Sequence, residues 1–150
     1  MLFRSTGLRD LDKKLGGFHP SDLIILAGRP SMGKTALATK MAFSAAAAFK
    51  ERTGEDGTKE VVEGARVAFF SLEMSAEQLA TRLLSEVTQV PSDKIRRGEI
   101  RGEDFPRFVE AAQQLNRLPL FIDDTPALSI SALRTRRSEE HTSELQSRFG

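Results

Sequence analysis

The sequence predicts an α/β fold in which a mostly parallel sheet is flanked by helices, and three observations carry that reading. Short apolar runs rich in strand formers recur at residues 22–27, 66–71 and 120–122. Helix-compatible stretches separate them, and strands alternating with helices argue for a parallel sheet with helical crossovers. A glycine-bounded octapeptide, Gly28-Arg29-Pro30-Ser31-Met32-Gly33-Lys34-Thr35, follows the first run and opens the first long helix.

The elements follow in order. Asp22-Leu23-Ile24-Ile25-Leu26-Ala27 has the unbroken apolar character of a strand buried on both faces. From Lys34 to about Lys50 the chain is dominated by alanine, with Leu37, Met41, Phe43 and Phe49, and reads as a long helix able to pack closely on a sheet. Residues 51–64 hold Gly54, Gly57 and Gly64 among charged side chains and read as a solvated, mobile loop. Arg66-Val67-Ala68-Phe69-Phe70-Ser71 is the second strand, and Ser75 with Gln78 forms a capping box that opens a helix through about Val87. Pro91 breaks the chain, Ser92 can cap a short turn towards Arg97, and residues 103–115 read as a further helix. Leu120-Phe121-Ile122 is the third strand, ended by Asp123, Asp124 and Pro126.

Bulk properties exclude less. The 150 residues, 39% of them hydrophobic, suffice for one ordinary domain core. The 22 basic and 21 acidic side chains leave a net charge of +1, so any nucleic-acid contact must be local. The chain has no cysteine, and its two histidines, His19 and His141, lie far apart, which argues against a structural metal. No apolar run approaches the roughly 20 residues a membrane helix needs, and no signal-peptide pattern opens the chain, so a cytoplasmic protein without membrane contact is expected.

The octapeptide fits G-x-x-x-x-G-K-[ST] at every fixed position and sits between a predicted strand and a predicted helix. Its glycines let backbone N–H groups turn inward as an anion cradle, and the helix N-terminus adds partial positive charge. Lys34 can reach the β and γ phosphates of ATP, and the Thr35 hydroxyl can ligate Mg²⁺. Gly28, Arg29, Pro30, Ser31, Met32, Gly33, Lys34 and Thr35 are therefore the candidate nucleotide-binding residues, Thr35 being the metal ligand.

Further residues narrow the family. Thr6-Gly7-Leu8, Leu11-Asp12, Leu15-Gly16-Gly17 and Pro20-Ser21-Asp22-Leu23 resemble the lead-in of RecA-like P-loop ATPase cores. Together with the octapeptide, Phe70-Ser71-Leu72-Glu73-Met74-Ser75 and Ile122-Asp123-Asp124-Thr125-Pro126 resemble the C-terminal motor domain of DnaB-type replicative DNA helicases over residues 6–136. That resemblance implies a homo-hexameric ATPase of the replisome and nucleoid that translocates on single-stranded DNA, unwinds the fork, and works with primase and a helicase loader. It assigns catalysis to Lys34 and to Glu73, the latter as the general base that polarises the attacking water. The position agrees with the residue pattern, because a carboxylate just past a strand's carboxyl end can face bound phosphates. The alternative for Glu73 is a solvated residue at the helix entry, where the dipole favours acids.

Asp123 and Asp124 pose a conflict. An apolar strand ending in two acids reads, on pattern alone, as a Mg²⁺-coordinating segment. The resemblance instead puts the metal-organising aspartate on a strand after Arg136, leaving Asp123 and Asp124 to cap a helix opening near Ser129 or to line the nucleotide rim. Arg96, Arg97, Arg101 and Arg107 form a basic cluster, but no stacking aromatic is interleaved among the first three, so a solvated or subunit-facing surface is expected.

The two ends read differently. Residues 137–150, opening Arg137-Ser138-Glu139-Glu140-His141-Thr142-Ser143-Glu144-Leu145-Gln146-Ser147, resemble a translated sequencing adapter, and residues 1–5 resemble the end of its partner. The expectation is an artefact at each end around the first half of the motor domain, truncated before its later strands and inactive alone. The readings kept open beside the helicase are another RecA-fold ATPase of recombination or repair, a P-loop small-molecule kinase, and a non-catalytic nucleotide-binding module.

Overall fold

A computed structural model describes residues 4–126 and 130–139. The artefactual ends expected at residues 1–5 and 137–150 thus lie outside the described residues at 1–3 and 140–150, as does Ser129. The chain divides into two compact units, Met1–Val67 and Ala68–Gly150.

In the first unit, α1 (Arg9–Leu15) follows a lead-in tied down by Asp12. Thr6 is fully buried, and its N–H donates to Asp12 Oδ1 at 2.8 Å while the Ser5 hydroxyl donates to Oδ2 at 2.5 Å. The Ser5 hydroxyl first, and then the Thr6 amide, hold the Asp12 carboxyl below the usual carboxylate range. The second helix, α2 (Lys34–Ala47), buries Thr39, Ala45 and Ala46, and the Thr39 hydroxyl donates to the Thr35 carbonyl one turn back at 2.6 Å. The helix expected to run to about Lys50 ends three residues earlier, because the chain turns there into a strand.

That strand corrects the reading of residues 51–64 as a mobile loop. β1 (Lys50–Thr53) and β2 (Lys59–Glu63) pair as an antiparallel hairpin with a bulge between Lys50 and Glu51. Solvation was legible, since every residue of 51–63 but the half-buried Val61 is exposed. The pairing was not, because the residues that face each other across the ladder are charged and look like solvated sequence. Lys50 meets Glu63 at 2.9 Å and Arg52 meets Glu60 at 3.1 Å. Arg66, past the hairpin, reaches back to Glu51 at 2.6 Å and lies over the Phe49 ring.

Gly64 closes this hairpin against α2. Its φ is +65°, it is buried, and an added Cβ would stand 2.5 Å from the Ala45 carbonyl oxygen, the Ala48 carbonyl carbon and the Phe49 nitrogen. The next residue's N–H, on Ala65, donates to that same Ala45 carbonyl at 2.9 Å. Backbone cannot yield as a flexible side chain does, so Gly64→Ala is expected to destabilise the protein by about 2 kcal/mol or more, from overpacking and a disfavoured φ together. Thermal melting of wild type and variant reads this directly.

The first predicted strand does not form. Residues 22–29 carry no regular element, and Leu23 and Ile25 are 87% and 82% exposed. A strand needs a neighbour for its backbone N–H and C=O groups, and no described strand pairs with residues 22–29. Apolar composition marks the segment as one that can be buried, without supplying the edge it would pair with.

In the second unit, β3 (Val67–Phe70) begins at the boundary and pairs in parallel with β4 (Leu120–Asp123). Between them run α3 (Ala76–Thr88), α4 (Ser92–Arg97), a 3-10 turn at Gly102–Asp104, and α5 (Phe105–Arg117). The core lies where α3 and α5 meet, with Leu79, Leu83, Phe108 and Ala111 all buried. Arg107 donates to the Thr88 carbonyl at 2.8 Å, satisfying a carbonyl at the end of α3. The last described helix is α6 (Ile130–Glu139).

Helix starts followed the sequence unevenly. The capping box is present as expected: Ser75 Oγ accepts from Gln78 N–H at 3.2 Å, and Gln78 Oε1 accepts from Ser75 N–H at 3.0 Å. Ser75→Ala should therefore cost about 1 kcal/mol, read as a lowered denaturant midpoint with unchanged slope. Ser92 does not cap α4; Pro91 takes that position, without a side-chain bond. The helix expected from residue 103 starts at Phe105, the 3-10 turn having taken up the preceding residues. Among the described residues, no helix is long and apolar enough to cross a membrane.

Candidate functional site

The octapeptide forms an exposed loop leading into α2. Gly33 is the N-cap, at φ +87°, a conformation that glycine adopts without strain. Ser31 is also left-handed, at φ +63°, which is costly for a residue with a Cβ. The two reversals bend the loop back on itself, and Met32 N–H donates to the Arg29 carbonyl at 3.3 Å. Lys34 Nζ donates to the Gly28 carbonyl at 2.8 Å, so its ammonium spans the loop from end to start. A Cβ at Gly28 would meet the Lys34 side chain only in ordinary contact at 3.5 Å, so space alone does not demand glycine there.

The chemistry at this helix end is one-sided. No side chain caps α2, and its first turn holds no acidic residue. The N–H groups of that turn, the positive end of the helix dipole and the Lys34 ammonium therefore all favour an approaching anion. Arg29 and Pro30 are exposed, as are Ser31, Met32 and Gly33, while Thr35 is half-buried on the first turn. The donor set of backbone amides, an ammonium and a hydroxyl suits a polyphosphate carrying a hard cation.

The second group stands in the other unit, at the carboxyl end of β3. Glu73 lies in the bend between β3 and α3 and is exposed. The bend is pinned on every side. Ser71 N–H donates to the Asp123 carbonyl at 2.9 Å, extending the pairing with β4. The Ser71 hydroxyl oxygen accepts from Met74 N–H at 3.1 Å, closing a turn around Leu72 and Glu73. Asp124 Oδ2 accepts from Ala76 N–H at 2.8 Å, across 48 positions of sequence.

Asp123 and Asp124 thus have definite places. Asp123 is buried, and its Oδ1 accepts from Thr125 N–H at 2.9 Å. Asp124 caps a helix, but α3 rather than one opening near Ser129, which lies outside the described residues. Residue reading missed Ser71 and Asp124 as partners of the Glu73 bend. The available signal was the adjacency of β3 and β4, which places the end of one strand beside the helix that follows the other.

The arginine cluster is largely neutralised where it stands. Arg97 meets Asp93 at 2.7 Å, Arg101 meets Glu103 at 3.7 Å, and Arg107 meets Asp104 at 3.6 Å. Such exposed pairs contribute little stability, but they absorb charge that a nucleic-acid surface would present.

The family model of the DnaB-like helicase C-terminal domain matches residues 4–147. A replicative DNA helicase DnaB from Rickettsia conorii is 54% identical over 132 residues, 88% of this chain and 26% of that protein. The counterpart from Geobacillus stearothermophilus is 38% identical over 131 residues, again 26% of its length. This chain therefore spans about a quarter of these relatives. Among solved structures, an ATPase domain superposes with a TM-score of 0.72 at 25% identity, covering 91% of this chain and 44% of that one. A DnaB-like replicative helicase, described with its interactions with primase, superposes with the same TM-score at 24% identity, covering 95% of this chain and 32% of that one.

Proposed function

Because the chain belongs to the DnaB-like helicase C-terminal domain family, with the fold of RecA-like helicase ATPase domains, we propose that it carries the nucleotide-binding part of a replicative DNA helicase motor. The observation that carries this reading is the octapeptide loop: left-handed at Gly33, uncapped, and with Lys34 folded across its mouth at the start of a 14-residue helix. Family membership sets aside the small-molecule kinase and the other RecA-fold ATPases as readings of this chain.

In this reading the backbone of residues 28–35 cradles the ATP phosphates. Lys34 exchanges the Gly28 carbonyl for phosphate oxygens, a stronger charge-assisted bond. Thr35 offers its hydroxyl to Mg²⁺, which, when bound, neutralises charge shifting onto phosphate oxygens during transfer. Glu73 accepts a proton from the attacking water, and its exposed carboxylate on a pinned bend suits that role. Ligands of open α/β sheets bind beyond the carboxyl ends of the strands, and Glu73 follows β3 directly.

The complete protein is then a homo-hexamer that couples ATP hydrolysis to movement on single-stranded DNA, with primase and a loader as partners. Unwinding of a forked duplex by the full-length protein tests this. Strand separation that requires Mg-ATP, with hydrolysis stimulated by single-stranded DNA, is the expected result. Hydrolysis indifferent to DNA, with no strand separation, would contradict it.

A further inference from the structure

We infer that Asp124 is a positioning residue for Glu73: from the end of β4, it fixes the start of α3 and thereby the bend that carries the proposed base. The inference rests on the reading of Glu73 given above and adds to it the residue that sets its place.

Three contacts define the bend, and each joins it to something rigid. Ser71 N–H on the Asp123 carbonyl fixes its entry to the β3–β4 pair. Met74 N–H on Ser71 Oγ fixes its curvature. Ala76 N–H on Asp124 Oδ2, at 2.8 Å, fixes its exit. Of these, only the last is supplied by a side chain remote in sequence. Ala76 is the first residue of α3, and the capping box uses the N–H groups of Ser75 and Gln78. Asp124 therefore satisfies a different donor of the same helix start, and its charge sits at the positive end of the helix dipole. A carboxylate doing this from a neighbouring strand couples the Glu73 bend to the sheet edge, which a local cap cannot do.

Two roles for Asp124 make different demands. A metal ligand needs its charge and a free oxygen aimed at the cation, whereas a positioning residue needs one acceptor oxygen at Ala76 N–H. Asparagine keeps the acceptor and loses the charge, so it separates them.

The test uses the full-length helicase with Asp124→Ala, Asp124→Asn and Glu73→Gln, alone and with the double variant Glu73→Gln/Asp124→Ala. Amide hydrogen exchange over residues 71–78 reads the bend, and DNA-stimulated ATP hydrolysis reads its consequence. Asp124→Ala should speed exchange in that segment and lower kcat by about tenfold or more, with KM for ATP moving less than about threefold, since a misplaced base slows chemistry and spares binding. Asp124→Asn should restore both readouts to near wild type. In the Glu73→Gln background, Asp124→Ala should change kcat by less than about twofold, because residues acting through one another are not additive. Unchanged exchange in Asp124→Ala overturns the inference. So does an Asp124→Asn protein that fails like alanine with a raised Mg²⁺ requirement, which would make Asp124 a metal ligand. If Glu73→Gln keeps full turnover, the reading of the base fails, and the exchange measurement still decides whether Asp124 holds the bend.

Discussion

Glu73→Gln in the full-length protein is expected to lower kcat for ATP hydrolysis by roughly 10²- to 10⁴-fold, the range that a positioned general base contributes. Glutamine keeps the shape and one acceptor oxygen but cannot take the proton from water. The bend around it is held by Ser71 and Asp124 through backbone amides rather than through the Glu73 side chain, so the substitution should leave the local fold intact. KM should therefore stay within a few-fold of wild type, the signature of an interaction made only in the transition state. Steady-state hydrolysis with saturating single-stranded DNA measures both parameters. If Glu73 were merely a solvated residue at a helix entry, the same substitution would leave kcat within about twofold, as surface changes away from structural features usually do.

Lys34→Ala should act earlier in the cycle. The ammonium is held to the Gly28 carbonyl at 2.8 Å, and in the proposed complex it transfers to phosphate oxygens. A hydrogen bond to a charged group contributes about 1.5–3 kcal/mol, so its loss should weaken Mg-ATP binding by about tenfold to hundredfold. Hydrolysis should fall further, because the same charge also meets the negative charge developing during transfer. Lys34 is exposed, so thermal stability should hardly change. Fluorescent-nucleotide titration beside thermal melting separates the two effects.

What was legible in the sequence is what depends on neighbours in sequence. The octapeptide announces a loop and a helix start through residues that must be glycine or must carry a particular donor, and Gly33 at φ +87° opens α2 where expected. The capping box at Ser75 was legible for the same reason, and β3 and β4 were legible as apolar runs, although their pairing with each other is not local. What depended on distant partners was not. Residues 22–27 have strand composition but no ladder, the hairpin β1–β2 pairs facing charged residues that look like solvent-loving sequence, and Asp124 finds Ala76 across 48 positions. At the candidate site, the residue types were readable and the device that holds Glu73 was not, since it exists only once β4 lies beside β3.

In the proposed function, residues 28–35 hold the nucleotide and Glu73 activates the water. The most direct test of this assignment is Mg-ATP binding and single-turnover hydrolysis measured side by side on the full-length wild type, Lys34→Ala and Glu73→Gln proteins. Lys34→Ala is expected to lose affinity, and Glu73→Gln to bind as wild type does yet leave the bound ATP uncleaved on the wild-type timescale. Equal loss of affinity in both variants, or wild-type cleavage by Glu73→Gln, would contradict it.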